Sequence, residues 1–365
     1  MALINSVAQK FSFPGPIVKV TEFGSGNVND TFLVNIDHLP GPDKFILQRI
    51  NPTVFPEPEL IMRNLRVLTE HVQHKLATGP AQNRRWQLPA IIATREGQDF
   101  YRHHDNSFWR ALTFIEQTAS HEIIQSEHQA EQAGRALGIF HCLSHDLPPD
   151  KLYDTLPGFH VTPNYLAHYD RMALQPATGN RGADLTFCRQ FIDQRRAGVD
   201  ILEKALRQGV LRQRIIHGDP KAANILFDQT SQQAVSIIDL DTTKAGLIHY
   251  DIGDCLRSCC NPAGEDGEHG RIEFRLDLAG SILQGYLKEV RSFFTAGDYD
   301  YIYDAVRLIA FELGLRFFSD HLAGDRYFKT RRPDHNLDRA MGQFTLCASI
   351  EAREKKIRAL IKEQQ

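Results

Sequence analysis

The densest chemistry in this chain lies between residues 215 and 241, where polar groups are set into apolar runs. The first run reads Ile215-Ile216-His217-Gly218-Asp219-Pro220-Lys221-Ala222-Ala223-Asn224-Ile225-Leu226-Phe227, and the second Ile237-Ile238-Asp239-Leu240-Asp241. Carboxylates beside such runs are costly to bury alone, so they are expected to meet cations or hydrogen-bond donors. The spacing predicts two strands, 224–228 and 234–239, joined as a hairpin. A register that pairs 228 with 235 also pairs 224 with 239, which brings Asn224 and Asp239 together at one end of the ribbon. One carboxylate and one amide oxygen are hard ligands suited to a magnesium ion that keeps water and phosphate oxygens as its other ligands. Asp219, on the loop entering the hairpin, projects toward the same point. A carboxylate to deprotonate a hydroxyl, beside ligands for a metal that holds phosphates, is the set that phosphoryl transfer requires.

Such a site needs elements to position it. Short β-rich runs at 17–23, 31–36 and 44–50, broken by Gly, Pro or Asp, predict strands. A helix over 57–76 follows, with Leu60, Ile61, Leu65 and Leu68 at helical spacing, and then β-like runs at 88–94, 99–103 and 108–115. Beyond Ser120 the pattern turns helical. Ala130, Ala133, Leu137 and Phe140 share one face, and further helices are expected at 187–208, closed by Gly209, at 304–322 and at 337–363. The reading is α+β and bilobal, with a strand-rich amino-terminal lobe over 1–117, a helix-rich carboxy-terminal lobe over 118–365, and a join near 114–120.

Bulk properties narrow the partner. The chain has 365 residues, 42% hydrophobic and 24% charged, with a formal net charge of −3, so nothing in the whole-chain balance points to nucleic acid or an anionic membrane. A small-molecule partner is expected. No basic segment leads into an apolar run at the start and no uninterrupted apolar stretch would cross a bilayer, so a cytoplasmic location is expected. Cys142, Cys188, Cys255, Cys259, Cys260 and Cys347 lack zinc-finger spacing and read as reduced thiols.

Protein kinases carry a catalytic-loop Asp, an Asn five residues later and a downstream Asp in the same order. Here His-Gly-Asp stands for His-Arg-Asp, and Asp-Leu-Asp for Asp-Phe-Gly. The block resembles the aminoglycoside phosphotransferase and choline kinase group. Gly24-Ser25-Gly26-Asn27-Val28-Asn29-Asp30-Thr31-Phe32, Trp109-Arg110-Ala111-Leu112-Thr113-Phe114-Ile115-Glu116, His249-Tyr250-Asp251-Ile252-Gly253-Asp254 and Glu312-Leu313-Gly314-Leu315-Arg316-Phe317 are similar to one branch of it, the N-acetylhexosamine 1-kinases.

The resemblance implies a protein-kinase-like fold with ATP between the lobes, Asp219 as base, Asn224 and Asp239 as Mg2+ ligands, and Asp241 assisting metal or substrate. Gly24, Ser25, Gly26 and Asn27 would form the turn over the phosphates, where small residues let backbone donors approach. Phe114, Ile115 and Glu116 would be the hinge facing adenine. The lysine usual on the third strand falls at Gln48. Arg49 alternates to the other face, and Glu59 stands where that lysine's partner would be. Glu312 and Arg316, one turn apart on a helix face, would hydrogen-bond an amino sugar. The implied reaction phosphorylates the anomeric hydroxyl of an N-acetylhexosamine. The alternatives are another small alcohol, such as an aminoglycoside, choline or homoserine, or an inactive nucleotide-binding protein. His217 and Asp251 read as structural, while Asp254 divides evenly between structure and site.

Overall fold

In a computed structural model, the structure describes residues 2–24, 28–37, 43–78, 84–174 and 181–365. The chain opens with helix α1 (Ala2–Ala8) and strands β1 (Ile17–Glu22), β2 (Asp30–Ile36) and β3 (Lys44–Ile50), followed by α2 (Pro58–Thr78). Two-residue strands β4 (Ile91–Ile92) and β5 (Tyr101–Arg102) then precede β6 (Phe108–Thr113). These strands form an antiparallel sheet in the order β1-β2-β3-β6-β4, with β5 also on β6. Alternation divides its faces. Val34, Ile36, Phe45, Leu47, Trp109 and Ala111 pack on Val7, Ala8 and Phe11 at the α1 end, forming an outer core. Thr31, Gln48 and Arg110 lie in one row across β2, β3 and β6 on the opposite face.

α2 begins on a proline, whose missing N–H costs nothing in a first turn, and buries Ile61, Leu65, Leu68 and Val72. The amide of Asn64 ties this helix to the other lobe, donating to the carbonyls of Tyr153 and Thr243 at 2.8 and 3.0 Å and accepting from the Tyr153 N–H.

The crossing between lobes runs through residues 114–117 into β7 (Thr118–Ala119), which joins a second sheet. Helix α3 (Glu127–Ser144), capped by Ser126, leads to α4 (Thr162–Ala173), α5 (Gly182–Asp193) and α6 (Ile201–Arg207). Then come β8 (Arg214–Ile216), β9 (Ile225–Asp228), β10 (Ala234–Ile237) and β11 (Lys244–Gly246), which give a β10-β9-β7 sheet and a β11-β8 pair. The remainder is helical: α7 (Ile248–Cys259), α8 (Leu276–Val290), α9 (Ala296–Asp300), α10 (Ile302–Leu322), α11 (His335–Glu351) and α12 (Glu354–Glu363). α10 is buried on nearly every side, as its continuous apolar sequence requires, with α4, α7 and α11 around it. The architecture is the bilobal α+β one expected. No helix among the described residues is long and apolar enough to cross a membrane, and the six cysteines are free thiols.

Three local expectations are corrected. The helix expected over 187–208 breaks into α5, a short 3-10 turn and α6, because Arg195 turns its guanidinium back onto the Phe191 carbonyl and onto Glu351. The helix expected over 337–363 breaks at Arg353, which binds Ser349. In the hairpin, Ile225 faces Ile237 and Leu226 faces Ser236, one residue from the predicted register. Nearer the turn Phe227 faces Ala234, two residues from it, and a bulge at Val235, whose carbonyl accepts the Gln87 N–H at 3.0 Å, makes the step between the two registers.

Candidate active site

β8 delivers the chain into the 217–224 loop, and buried groups clamp that loop from several sides. Asp251, on α7, accepts the backbone N–H groups of His217 and Gly218 at 2.6 and 2.8 Å and meets His141 Nε2 at 2.9 Å. Burial alone would raise its pKa, but His141 and His217 outweigh that and hold it below the ordinary aspartate value. The Tyr-Asp-Ile-Gly-Asp segment is therefore helix rather than turn, and Asp251 is a fastener of the loop. His160 Nε2 binds the Gly218 carbonyl at 2.7 Å, and His217 Nε2 binds the Ile238 carbonyl at 2.9 Å. Gly218 has φ +91°, and a Cβ there would lie 2.8 Å from the Thr242 carbonyl oxygen, so glycine alone fits.

This loop brings Asp219 beside Asn224, whose Nδ2 donates to the Asp219 carbonyl at 2.8 Å and to Oδ2 at 3.2 Å. The Ile238 N–H binds the Asn224 carbonyl, so Asp239 follows directly beside Asn224 despite the shifted register. Asp239 takes left-handed backbone angles, φ 67°, where the chain leaves the strand for a 3-10 turn carrying Asp241. Asp219, Asn224, Asp239 and Asp241 all line one cleft of about 890 Å³ between the lobes.

The carboxylates differ electrostatically. Burial would raise Asp219, but Lys221 Nζ at 2.7 Å, with His217 and Arg257, lowers it below the ordinary value and keeps it ionised. Asp239 is pushed up to about 7, by burial first and then by Asp241 and Asp219. Lys221 and Arg110 offset that rise only in part, and with the Asn224 Nδ2 engaged, the Asn224 Oδ1 remains as an acceptor beside Asp239. A hard divalent cation fits that donor set. Among the described residues, no three His, Cys, Asp or Glu side chains form a metal cluster of their own.

The other expected positions divide. Gly24, with φ +77°, Gln48, Phe114 and Ile115 line the cleft, whereas Ser25, Gly26 and Asn27 lie outside the described residues. Glu116 does not line the cleft: its carbonyl accepts from Arg85 at 2.9 Å and its carboxylate accepts the Asp43 N–H. Arg49 points outward to Asp30, as alternation requires. Glu59 pairs with Arg102 and so partners nothing at position 48. Glu312 and Arg316 are placed differently from these. Both lie off the cleft; Glu312 accepts from His160 at 3.0 Å and Thr162 at 2.7 Å, while Arg316 stacks over Phe159, Tyr165 and Phe328. The helix period gave their shared side, but not which neighbour that side meets.

Sequence reading missed several cleft residues. Lys221 had a signal, its place two residues after Asp219. Arg257, on α7, pairs with Asp254 at 2.9 Å and Glu265 at 3.0 Å, and Arg339, on α11, pairs with Asp266 at 2.6 Å. Arg339 and Asp266 lie on distant segments and left no local pattern, whereas Arg257 and Asp254 are three residues apart on one helix.

A family described as the phosphotransferase enzyme family matches residues 19–287, and the chain belongs to that family. It is accordingly an ATP-dependent small-molecule kinase that transfers a phosphoryl group to a hydroxyl. The fold is similar to that of a microcompartment-associated aminopropanol kinase, with 17% identity, 98% of each chain covered and a TM-score of 0.63. It is also similar to a choline kinase from Cryptosporidium parvum Iowa II, with 14% identity, 100% and 99% coverage and a TM-score of 0.62. A third likeness is an aminoglycoside phosphotransferase from Alicyclobacillus acidocaldarius, with 15% identity, 98% and 96% coverage and a TM-score of 0.65.

Proposed function

We propose that this kinase phosphorylates the anomeric hydroxyl of an N-acetylhexosamine, with Asp219 as base and Asn224 and Asp239 as the residues that hold magnesium. The carrying observation is the state of the carboxylates on the helical side of the cleft. Glu265 is tied to Arg257, which also pairs with Asp254 outside the cleft lining, and Asp266 is tied to Arg339, so that wall presents balanced polar groups rather than surplus negative charge. A cationic acceptor calls for the reverse, an acidic pocket. A neutral sugar with several hydroxyls and an amide is matched by mixed donors and acceptors.

Asp219 supports the same reading. Held below the ordinary aspartate value, it is a weak base. An anomeric hydroxyl is more acidic than an aliphatic alcohol and asks less of such a base. In the transfer Asp219 takes the hydroxyl proton as the sugar oxygen bonds to the terminal phosphorus and the bond to the ADP oxygen breaks. Lys221 keeps the carboxylate oriented through its 2.7 Å contact. Magnesium, when bound, supplies charge neutralisation at the phosphates.

The test compares phosphate transfer to N-acetylglucosamine and N-acetylgalactosamine with transfer to their 1-O-methyl glycosides, which lack only the acceptor. Transfer to the free sugars alone is expected. Equal rates on blocked and free sugars overturn the anomeric assignment. Turnover of choline, an amino alcohol or an aminoglycoside with no transfer to any hexose moves the acceptor to that class.

A further inference from the structure

The strand-rich lobe has glutamine where a phosphate-pairing lysine was expected, yet its sheet still aims a cation into the cleft. In the antiparallel ladder Thr31 faces Gln48 and Gln48 faces Arg110, so all three side chains emerge in one row on the cleft face. Among the described cleft-lining residues, Arg110 is the one cation from the strands. Its side chain is 2% exposed and held rigidly. Gln48 Oε1 accepts from Nε at 2.9 Å and from Nη2 at 2.7 Å, while Nη1 lies 2.6 Å from Asp241 Oδ1.

A guanidinium has five N–H groups; Gln48 takes Nε and one on Nη2, and the Nη1 contact with Asp241 is an ion pair rather than a hydrogen bond, so N–H groups on both terminal nitrogens are left without a hydrogen-bond partner among the described residues. Two such hydrogens on adjacent nitrogens form the planar fork that suits a phosphate's oxygens. The other cations of the cleft with ion pairs, Lys221, Arg257 and Arg339, come from the helical lobe and face Asp219, Asp254, Glu265 and Asp266.

We infer that Arg110 is the phosphate-binding cation of the strand-rich lobe, supplied from β6, with Gln48 serving as the bracket that orients it. The pairing with Asp241 then links this cation to the turn that follows Asp239. The inference rests on reading the cleft as the nucleotide site, and the experiment separates the two.

Calorimetric titration of ADP and of adenosine into the full chain, in magnesium buffer, gives affinities that need no turnover. Arg110→Gln is expected to weaken ADP about tenfold or more while adenosine stays within about twofold, because the lost fork contacts are charge-assisted hydrogen bonds to phosphate. Equal weakening of both ligands, or unchanged ADP affinity, overturns the role. Should Arg110→Gln fail to fold, Arg110→Lys decides. It keeps the charge and loses the fork, so ADP is expected to weaken by about threefold to tenfold with adenosine unchanged, and an ADP affinity equal to the parent's overturns the inference. A parent protein that binds neither ligand overturns the nucleotide reading and Arg110's role with it, whereas a parent that binds both leaves the variants to judge Arg110 alone.

Discussion

The imidazole of His160 lies between the Glu312 carboxylate, 3.0 Å from Nδ1, and the Gly218 carbonyl, 2.7 Å from Nε2. Both neighbours are acceptors, so both ring nitrogens must donate and the ring carries a positive charge. Burial would lower its pKa, but Glu312 outweighs burial and raises it. A group raised in the folded state contributes stability that is complete below its unfolded value, near 6.5, and is lost as pH rises through the folded value. His160→Gln should therefore cost most at acid pH and progressively less above neutrality. Denaturant midpoints of parent and variant across that range check this, and a constant difference would show that the charge contributes nothing.

Asp219→Asn should leave nucleotide affinity nearly unchanged and lower kcat by about 10²–10⁴-fold, the usual contribution of a general base. Turnover within about twofold of the parent would remove Asp219 from that role.

Asn224→Ala and Asp239→Ala should each raise the magnesium concentration needed for half-maximal activity, since each removes a proposed ligand. Magnesium titrations of initial rate test this. If Asp239→Ala keeps the parent dependence while Asp241→Ala abolishes activity, the metal carboxylate is Asp241.

Gly134 and Gly285 set the crossing of α3 and α8. A Cβ on Gly134 would lie 2.0 Å from the Ile282 carbonyl oxygen, and one on Gly285 would lie 2.1 Å from that of Glu131. Gly134→Ala should destabilise by about 1–3 kcal/mol, because backbone rather than a flexible side-chain end must move. Gly280→Ala, on α8 with its nearest neighbour the Leu360 side chain at 3.5 Å, should instead stabilise by about 0.5–1 kcal/mol through helix propensity. Urea unfolding of the two variants gives the contrast directly.

Much of this architecture was legible because local pattern and packing agree. β2 and β3 appear within a residue of expectation, since their apolar alternation is what the outer core demands. The gathering of Asp219, Asn224 and Asp239 also followed from spacing, although the ladder beside Asn224 runs one residue from the predicted register; the tighter turn, where the Asp228 N–H binds the Gln233 carbonyl, and the bulge at Val235 are details the hairpin pattern did not contain. The partners of Arg110 and His160 were not legible for a similar reason. Each acquires its partners from segments distant in the chain: Gln48 and Asp241 for Arg110, Glu312 and Gly218 for His160. Periodicity likewise put Glu312 and Arg316 on one side of their helix but could not name the neighbours that side meets, His160 and Thr162 for Glu312.

Asp239 combines a left-handed backbone with burial and two neighbouring carboxylates, and the last two disfavour its ionised form. Asparagine tolerates the same backbone angles and carries no charge to repel. In metal-free buffer Asp239→Asn should accordingly melt higher than the parent while losing magnesium-dependent turnover. A laboratory selection for thermal endurance alone would then enrich inactive sequences at this position, an instance of the trade-off between stability and activity. Any programme to harden this enzyme has to select for turnover in the same round.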